Sequence, residues 1–343
     1  MPGCAREGRA HLVNILIGSH HFFPSTGGIE TVTNLLGREF ARRAHQVRVV
    51  TQTPGGGDFP FVVVRRPGTL ELLGHVRWAD VFLQNNISLR TLWPLLFVRR
   101  PLFVTHQTWI TNADGSTAWQ HGLKRFALGS ATSFAISEAI AGRLPVPSIR
   151  VGNPYDDEVF KEAPGAERDR ELIFVGRLVS DKGVSILLDA LGMVDRRPLL
   201  TIVGEGPERP GLERKATELG LQDQVEFVGA QRGDRLAELL RRHEILVVPS
   251  LWQEPFGIVA LEGIACGCVV VGSAGGGLAE AIGPCGLTFP NGDAAALART
   301  ITQVLADPDE RARLRQAAPA HLARFTPSHV AGLYLEAMEK TRR

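Results

Sequence analysis

Apolar and polar positions alternate along this chain in blocks. Runs of four to seven apolar residues recur, each followed by a Gly-rich turn and then a stretch with helical spacing. LVNILIG leads through a loop to IETVTNLLGREFARRA. HQVRVVTQ, ADVFLQN and PLFVTHQ follow, and TSFAISEAIAGRL reads as a strand entering a helix that opens at Ser137 with Glu138 in its first turn. Short apolar runs bounded by Gly and polar residues are strands buried on both faces, and their alternation with helices predicts parallel βαβ units. Around VGNPYDDEVFKEAPGAERDR the chain turns polar, with Pro and Gly, and this stretch reads as a linker. The rhythm then restarts. ELIFVGRL, SILLDALGMV, LLTIVGEG, LERKATELG, VEFVGA, DRLAELLRRH, ILVVPS and CVVVGS alternate strand and helix, and helical spacing resumes beyond Asp293.

The pattern therefore predicts an α/β chain of two Rossmann-like doubly wound domains. The first covers residues 1–155 and the second 156–325. A C-terminal helix, 326–343, is expected to pack back on the first domain. Two such domains facing each other would enclose a cleft. Ligands of such sheets bind beyond the carboxyl ends of the strands. At 343 residues the chain exceeds what one hydrophobic core usually serves, which agrees.

Composition changes little: 44% hydrophobic and 22% charged residues are ordinary for a soluble protein. No apolar run approaches the eighteen residues of a membrane span, and the N-terminal run reads as a first strand rather than a signal peptide. Four cysteines without further ligands at zinc spacing favour reduced thiols and a cytoplasmic protein. The net charge of +2 hides an asymmetry. Residues 1–155 hold 16 Lys and Arg against 8 Asp and Glu, and the rest of the chain holds 22 against 28. Basic runs interleaved with aromatics are absent, so nucleic acid is not an expected partner. FVRRPLF and HGLKRFAL leave peripheral contact with the inner face of a membrane open, beside the plainer reading of solvated arginines.

Three strand-end stretches carry candidate chemistry. PSTGGIE follows the first strand, where Gly27 and Gly28 allow close backbone approach at a helix N-terminus, or simply form a left-handed turn. It is not G-x-G-x-x-G, which argues against a dinucleotide enzyme. In FVGRLVSDKG a strand ends at Gly176, Arg177 follows, and Lys182 stands near the next helix N-terminus, against the helix-dipole preference. A bound diphosphate would account for both cations; two surface cations are the alternative. In EPFGIVALEGIACG, Pro255 suits a first helical position, and Glu254 and Glu262 stand eight residues apart. Glu262 is the only charge between Gly257 and Gly272. Measured along a helix, eight residues span roughly 12 Å, a length suited to a nucleotide sugar with its hexose at Glu254 and its ribose at Glu262. The alternatives are a salt bridge for Glu262 and helix-dipole stabilisation for Glu254. The D-x-D of Asp307–Asp309 reads as a helix start rather than a metal site.

E-P-F-G-I-V-A-L-E resembles the E-x7-E pattern of retaining GT-B glycosyltransferases. With GRLVSDKG, VGSAGGGLAEAIG, GGIE, NPYDDEVF, VGEGPER and FVGA in the same order, nearly the whole chain is similar to family 4 of those enzymes. The resemblance implies a hexosyltransferase of polysaccharide or glycoconjugate biosynthesis that needs neither metal nor cofactor. UDP-hexose is the favoured donor and GDP-mannose the second. It implies transfer to a hydroxyl of a saccharide, lipid-linked or small-molecule acceptor, by front-face attack with the leaving diphosphate taking the acceptor proton. By position it implies catalytic roles for Arg177, Lys182, Glu254 and His106. It implies donor binding by Gly27, Gly28, Gly176, Arg177, Lys182, Glu254, Phe256, Gly257, Ile258, Val259 and Glu262. His106 and Trp109 fall on the acceptor side. His106, in FVTHQ, would lie near the transferred sugar, or be a satisfied structural histidine. Gln107-Thr108-Trp109 depart from the family's pattern, and Trp109 to Trp119 would shape an acceptor site peculiar to this chain. The alternatives for this chain are a sugar-nucleotide epimerase or phosphorylase on the same fold, or a non-catalytic nucleotide-sugar binding protein.

Overall fold

The computed structural model describes residues 12–25, 27–109, 122, 126–163, 165 and 167–342. Two parallel sheets carry the fold, as the two blocks of alternation predict. The first has seven strands in the order β3-β2-β1-β4-β5-β6-β7: β1 Asn14–Ser19, β2 Gln46–Thr51, β3 Val62–Arg65, β4 Val81–Asn85, β5 Leu102–His106, β6 Thr132–Ala135 and β7 Ser148–Arg150. The second has six in the order β10-β9-β8-β11-β12-β13: β8 Arg170–Val175, β9 Leu200–Val203, β10 Val225–Gly229, β11 His243–Val248, β12 Val269–Ser273 and β13 Gly286–Phe289. β1 pairs in parallel with β2 and β4, and β8 pairs in parallel with β9 and β11. The strand order therefore reverses between β1 and β4 in one sheet and between β8 and β11 in the other. These are the two switch points at which such sheets place ligands.

β4 and β5, VFLQN and LFVTH, are buried along their whole length, their polar carboxyl ends included. In the second sheet Leu172, Phe174, Ile202, Val247 and Val271 form one core with Leu187, Leu188 and Leu297 from the helices Val184–Leu191 and Ala294–Ala306. The free thiols of Cys266, Cys268 and Cys285 are buried in this half, and Cys4 lies outside the described residues.

Two compact units interleave along the chain. One comprises Met1–Phe134, Pro145–Ile149 and Ala331–Arg343, and the other Ala135–Leu144 and Arg150–Val330. These units do not share the single expected boundary at residue 155, because chain segments interleave between them. Residues 135–144 group with the second unit because their polar atoms bond there, Ser137 to Pro255 and Arg143 to Gln253. The end of the chain groups with the first unit. There the Tyr334 hydroxyl donates to Thr105 Oγ1 at 2.9 Å and its ring stands 4.3 Å from that of Phe134.

Candidate functional site

The turn after β8 begins at Gly176, whose amide donates to the Val203 carbonyl. Arg177 follows, exposed, with no side-chain partner among the described residues. Ser180–Lys182 form a single 3-10 turn. Gly183, at φ 70°, then opens the helix Val184–Leu191, so Lys182 stands just before that helix rather than in it. Gly183 cannot carry a side chain here, because a Cβ would lie 2.0 Å from the Pro249 carbonyl oxygen. The turn is tied to the loop after β11 by the Leu251 and Trp252 amides, which both donate to the Asp181 carbonyl.

That loop delivers Glu254. Its Oε1 accepts from Lys182 Nζ at 2.5 Å and from Ser250 Oγ at 2.8 Å. Its Oε2 has no hydrogen bond among the described residues. Both side chains are largely buried, 24% and 13% exposed, so the pair is less screened than a surface ion pair. An ammonium has three donors, so Lys182 can hold Glu254 and still offer N–H to an anion. The sequence-based reading separates these two residues into phosphate and sugar roles; the structure joins them.

Glu254 is not helical. It makes an isolated bridge with Gly276, and its carbonyl accepts from the Gly277 amide at 2.7 Å. The helix runs Ile258–Ala265, with Gly257 at φ 106° before it. Pro255 is therefore not at a first helical position, and the 12 Å helical measure between the glutamates does not apply, because their first three intervening residues are loop. Phe256 is buried and its ring stands 5.6 Å from Phe325, which pins the loop to the core. Ile258 and Val259 are half-buried in the first turn.

Glu262 lies inside this helix with no ion pair or side-chain hydrogen bond among the described residues. The salt bridge that would have explained it is not there. Burial first, then the Asp156 carboxylate, push its carboxyl up to about 7. An unpaired acid held near neutrality in a partly buried helix is a candidate functional group.

The first unit presents a different picture. Gly27 is extended, φ −179°, and precedes the helix Gly28–Arg42, so the left-handed alternative is set aside. A Cβ on Gly27 would come within 2.8 Å of Glu30 Oε2. Glu30 is buried, accepts from Ser25 Oγ at 2.9 Å, and brings a carboxylate to this helix start. His106 ends β5 with its side chain 1% exposed, its Nε2 3.3 Å from Ser133 Oγ. Burial lowers its pKa to about 4, so the ring is neutral at pH 7 and turns no face to solvent. Trp109 is half-buried, while most of the Trp109–Trp119 segment, Trp119 included, lies outside the described residues. Asp307 Oδ1 accepts from the Glu310 amide and caps the helix Pro308–Gln316. No group of three His, Cys, Asp or Glu able to hold a metal occurs among the described residues.

Sequence reasoning passes over Ser250 and Glu30. Ser250 stands at the carboxyl end of ILVVPS, and Glu30 directly follows GGI in a first turn, so both had a positional signal.

Residues 156–321 match the family model of glycosyl transferases group 1. An uncharacterised glycosyltransferase of Methanocaldococcus jannaschii is 41% identical over 126 residues, 36% of this chain and 32% of that protein. A D-inositol 3-phosphate glycosyltransferase of Thermobispora bispora is 34% identical over 228 residues, 58% and 53% of the two chains. The matched stretches thus span between about a third and a half of these curated relatives. The Anabaena protein HepE, crystallised with UDP-glucose, superposes with a TM-score of 0.79 at 21% identity, over 96% of this chain and all of that one. At that identity the likeness concerns fold alone, and the fold is GT-B.

Proposed function

We propose, from the membership of residues 156–321 in glycosyl transferases group 1 and the GT-B fold of the chain, that the protein is a retaining hexosyltransferase using a nucleotide-diphosphate sugar. One observation carries the reading. At the β8/β11 switch point Arg177, without a side-chain partner among the described residues, and the Lys182–Glu254 pair stand on the turns of one sheet, and Glu262, likewise without a partner there, lies in the helix Ile258–Ala265 that follows. Arg177 and Lys182 take the diphosphate and stabilise its charge as it leaves. Glu254 Oε2 accepts from hexose hydroxyls. Glu262, as a carboxylate, accepts from both hydroxyls of the ribose. The Phe256–Val259 backbone and Gly176 complete the donor contacts of this unit.

The attack is front-face, and the departing diphosphate takes the acceptor proton. No protein nucleophile, metal or cofactor enters this scheme. His106, neutral and buried, would act on the acceptor side only from beneath the surface, by packing rather than by moving a proton, with Trp109 three residues further along the chain. The UDP-glucose bound to HepE supports a UDP-hexose donor, with GDP-mannose second. The names of the inositol-phosphate relatives support a hydroxylated small-molecule acceptor beside a saccharide or lipid-linked one. The reading is tested by incubating the protein with UDP-glucose, UDP-galactose and GDP-mannose and a panel of such acceptors. It predicts a glycoside of unchanged anomeric configuration by NMR; an inverted product, or none from any donor, would overturn it.

A second reading concerns a surface. Leu96 and Phe97 are 82% and 75% exposed, beside exposed Arg99, in a stretch from Val81 to Ala113 that has no Asp or Glu. Apolar tips beside cations suit the headgroup region of an anionic bilayer. No helix among the described residues is long and apolar enough to cross a membrane. Vesicles with phosphatidylglycerol should co-sediment the protein, phosphatidylcholine vesicles should not, and Phe97→Ser should release it. Equal behaviour with both lipids contradicts the reading.

A further inference from the structure

The segment Ala135–Leu144 precedes the group 1 region by sequence, yet its polar atoms end on the loop that carries Glu254. Ser137 Oγ donates to the Pro255 carbonyl at 2.7 Å and accepts from the Ile140 amide at 3.3 Å. One hydroxyl therefore caps a helical turn and holds the peptide next to Glu254. Ser137 is fully buried, so both bonds are shielded from water. Arg143 Nη2 donates to Gln253 Oε1 at 2.6 Å, on the other side of Glu254. The Glu138 amide donates to Glu280 Oε2 at 2.9 Å, on the helix that follows Gly277.

The glycines show how tightly these parts meet. A Cβ on Gly277 would lie 2.2 Å from the Pro255 carbonyl oxygen and 2.6 Å from Ser137 Cβ. One on Gly276 would lie 2.2 Å from the Glu254 carbonyl oxygen. Both chain neighbours of Glu254 and its own backbone are thus fixed from outside the loop, while the loop itself is irregular. A carboxylate on irregular backbone keeps a productive geometry only if its support is locked.

We propose that Ser137, assisted by Arg143, is a positioning residue for Glu254: it braces the Gln253–Pro255 backbone so that the Glu254 carboxylate meets the donor hexose. This rests on the reading of Glu254 as the hexose ligand. The brace acts on the sugar end of the donor, so its loss separates sugar transfer from nucleotide binding. Capping alone would not give that separation.

The test uses the full chain, Ser137→Ala, and the milder Arg143→Met at an exposed position. Hydrogen exchange is followed at the Gly277 amide, which bonds the Glu254 carbonyl. Affinity for UDP, GDP and ADP is measured beside kcat/KM for transfer from the matching sugar nucleotide. Ser137→Ala should speed Gly277 exchange about tenfold and lower kcat/KM about tenfold or more, with nucleoside diphosphate affinity within about twofold of wild type. Arg143→Met should move the same two quantities in the same direction, by less. Unchanged exchange in both variants, or equal losses of diphosphate affinity and transfer, would overturn the proposal. If the wild-type protein transfers no sugar, the glycosyltransferase reading fails, and the exchange measurement still decides whether the brace exists.

Discussion

The turns after β1 and after β8 occupy corresponding places, each at the switch point of a doubly wound sheet, yet they are chemically opposite. The turn after β8 brings two cations to the strand ends and leaves Arg177 unpaired. The turn after β1 brings Glu30, buried and bonded to Ser25, against the backbone of Gly27. The same topology therefore yields an anion-seeking turn in one unit and a turn that carries its own acid in the other. Position in the fold says where a ligand sits, and the side chains say which end of it. The proposed nucleotide diphosphate would pair with Arg177 and Lys182. A phosphate at Gly27–Gly28 would meet the Glu30 carboxylate, so that turn is the poorer anion site of the two.

The largest effect should come from the cationic turn. Lys182→Ala should lower turnover about 10²- to 10³-fold, the range for removing one charge-stabilising donor. Steady-state kinetics with a confirmed donor would read it, and near-wild-type rates would remove Lys182 from the diphosphate. The variant also strips Glu254 of its ion pair, so Lys182→Arg, which keeps the charge, should recover part of the loss.

Glu262 gives the next effect, and its sign can be worked out. Its folded pKa, about 7, lies above the usual value of 4.5. The free protein is therefore most stable, as far as this group is concerned, below pH 4.5. It loses stability as pH rises to about 7, and above that the cost of an unpaired, half-buried carboxylate remains, about 3 kcal/mol. Glu262→Gln should raise the melting temperature of the free protein at pH 8 and leave it nearly unchanged at pH 4.5. The same variant should weaken nucleotide binding about tenfold at pH 8, because the carboxylate accepts from the diol where the amide presents one acceptor. Wild-type affinity should rise with pH through about 7, and the variant's should stay flat. A variant that is neither stabilised nor weakened at pH 8 would remove Glu262 from the site.

The acid-bearing turn should give the smallest effect. Gly27→Ala places a Cβ against Glu30 Oε2 and should cost about 1 kcal/mol of stability, read by denaturant titration. Its effect on nucleotide affinity should stay within about threefold. A loss as large as that of Lys182→Ala would make the two turns equals and erase the contrast.

Much of the fold is legible in the sequence because βαβ units mark themselves locally. β4 and β11 are apolar runs between polar turns, and Ser137 reads as a helix opener and is one. β3 does not announce itself, since its run is short and ends in Arg65, whose guanidinium is spent on the carbonyls of Phe23, Thr53 and Gly56. The interleaving of the units is invisible for another reason: Ser137 and Pro255 are 118 residues apart. That no salt bridge to Glu262 occurs among the described residues agrees with its place in an apolar helix. The Lys182–Glu254 pair could not be read, because it joins turns 72 residues apart, and spacing within either motif carries no information about the other. The helical measure from Glu254 to Glu262 fails for a local reason: Gly257, in a left-handed conformation, starts the helix after Glu254.

The central claim is that the second unit's switch point is a nucleotide-diphosphate site. Melting of the unmodified chain with UDP, GDP and ADP in turn tests it most directly. One of the three, at a hundred times its dissociation constant, should stabilise the fold by ~2.7 kcal/mol, and Lys182→Ala should abolish most of that shift. No shift with any nucleotide, or a shift that Lys182→Ala leaves intact, would contradict the claim.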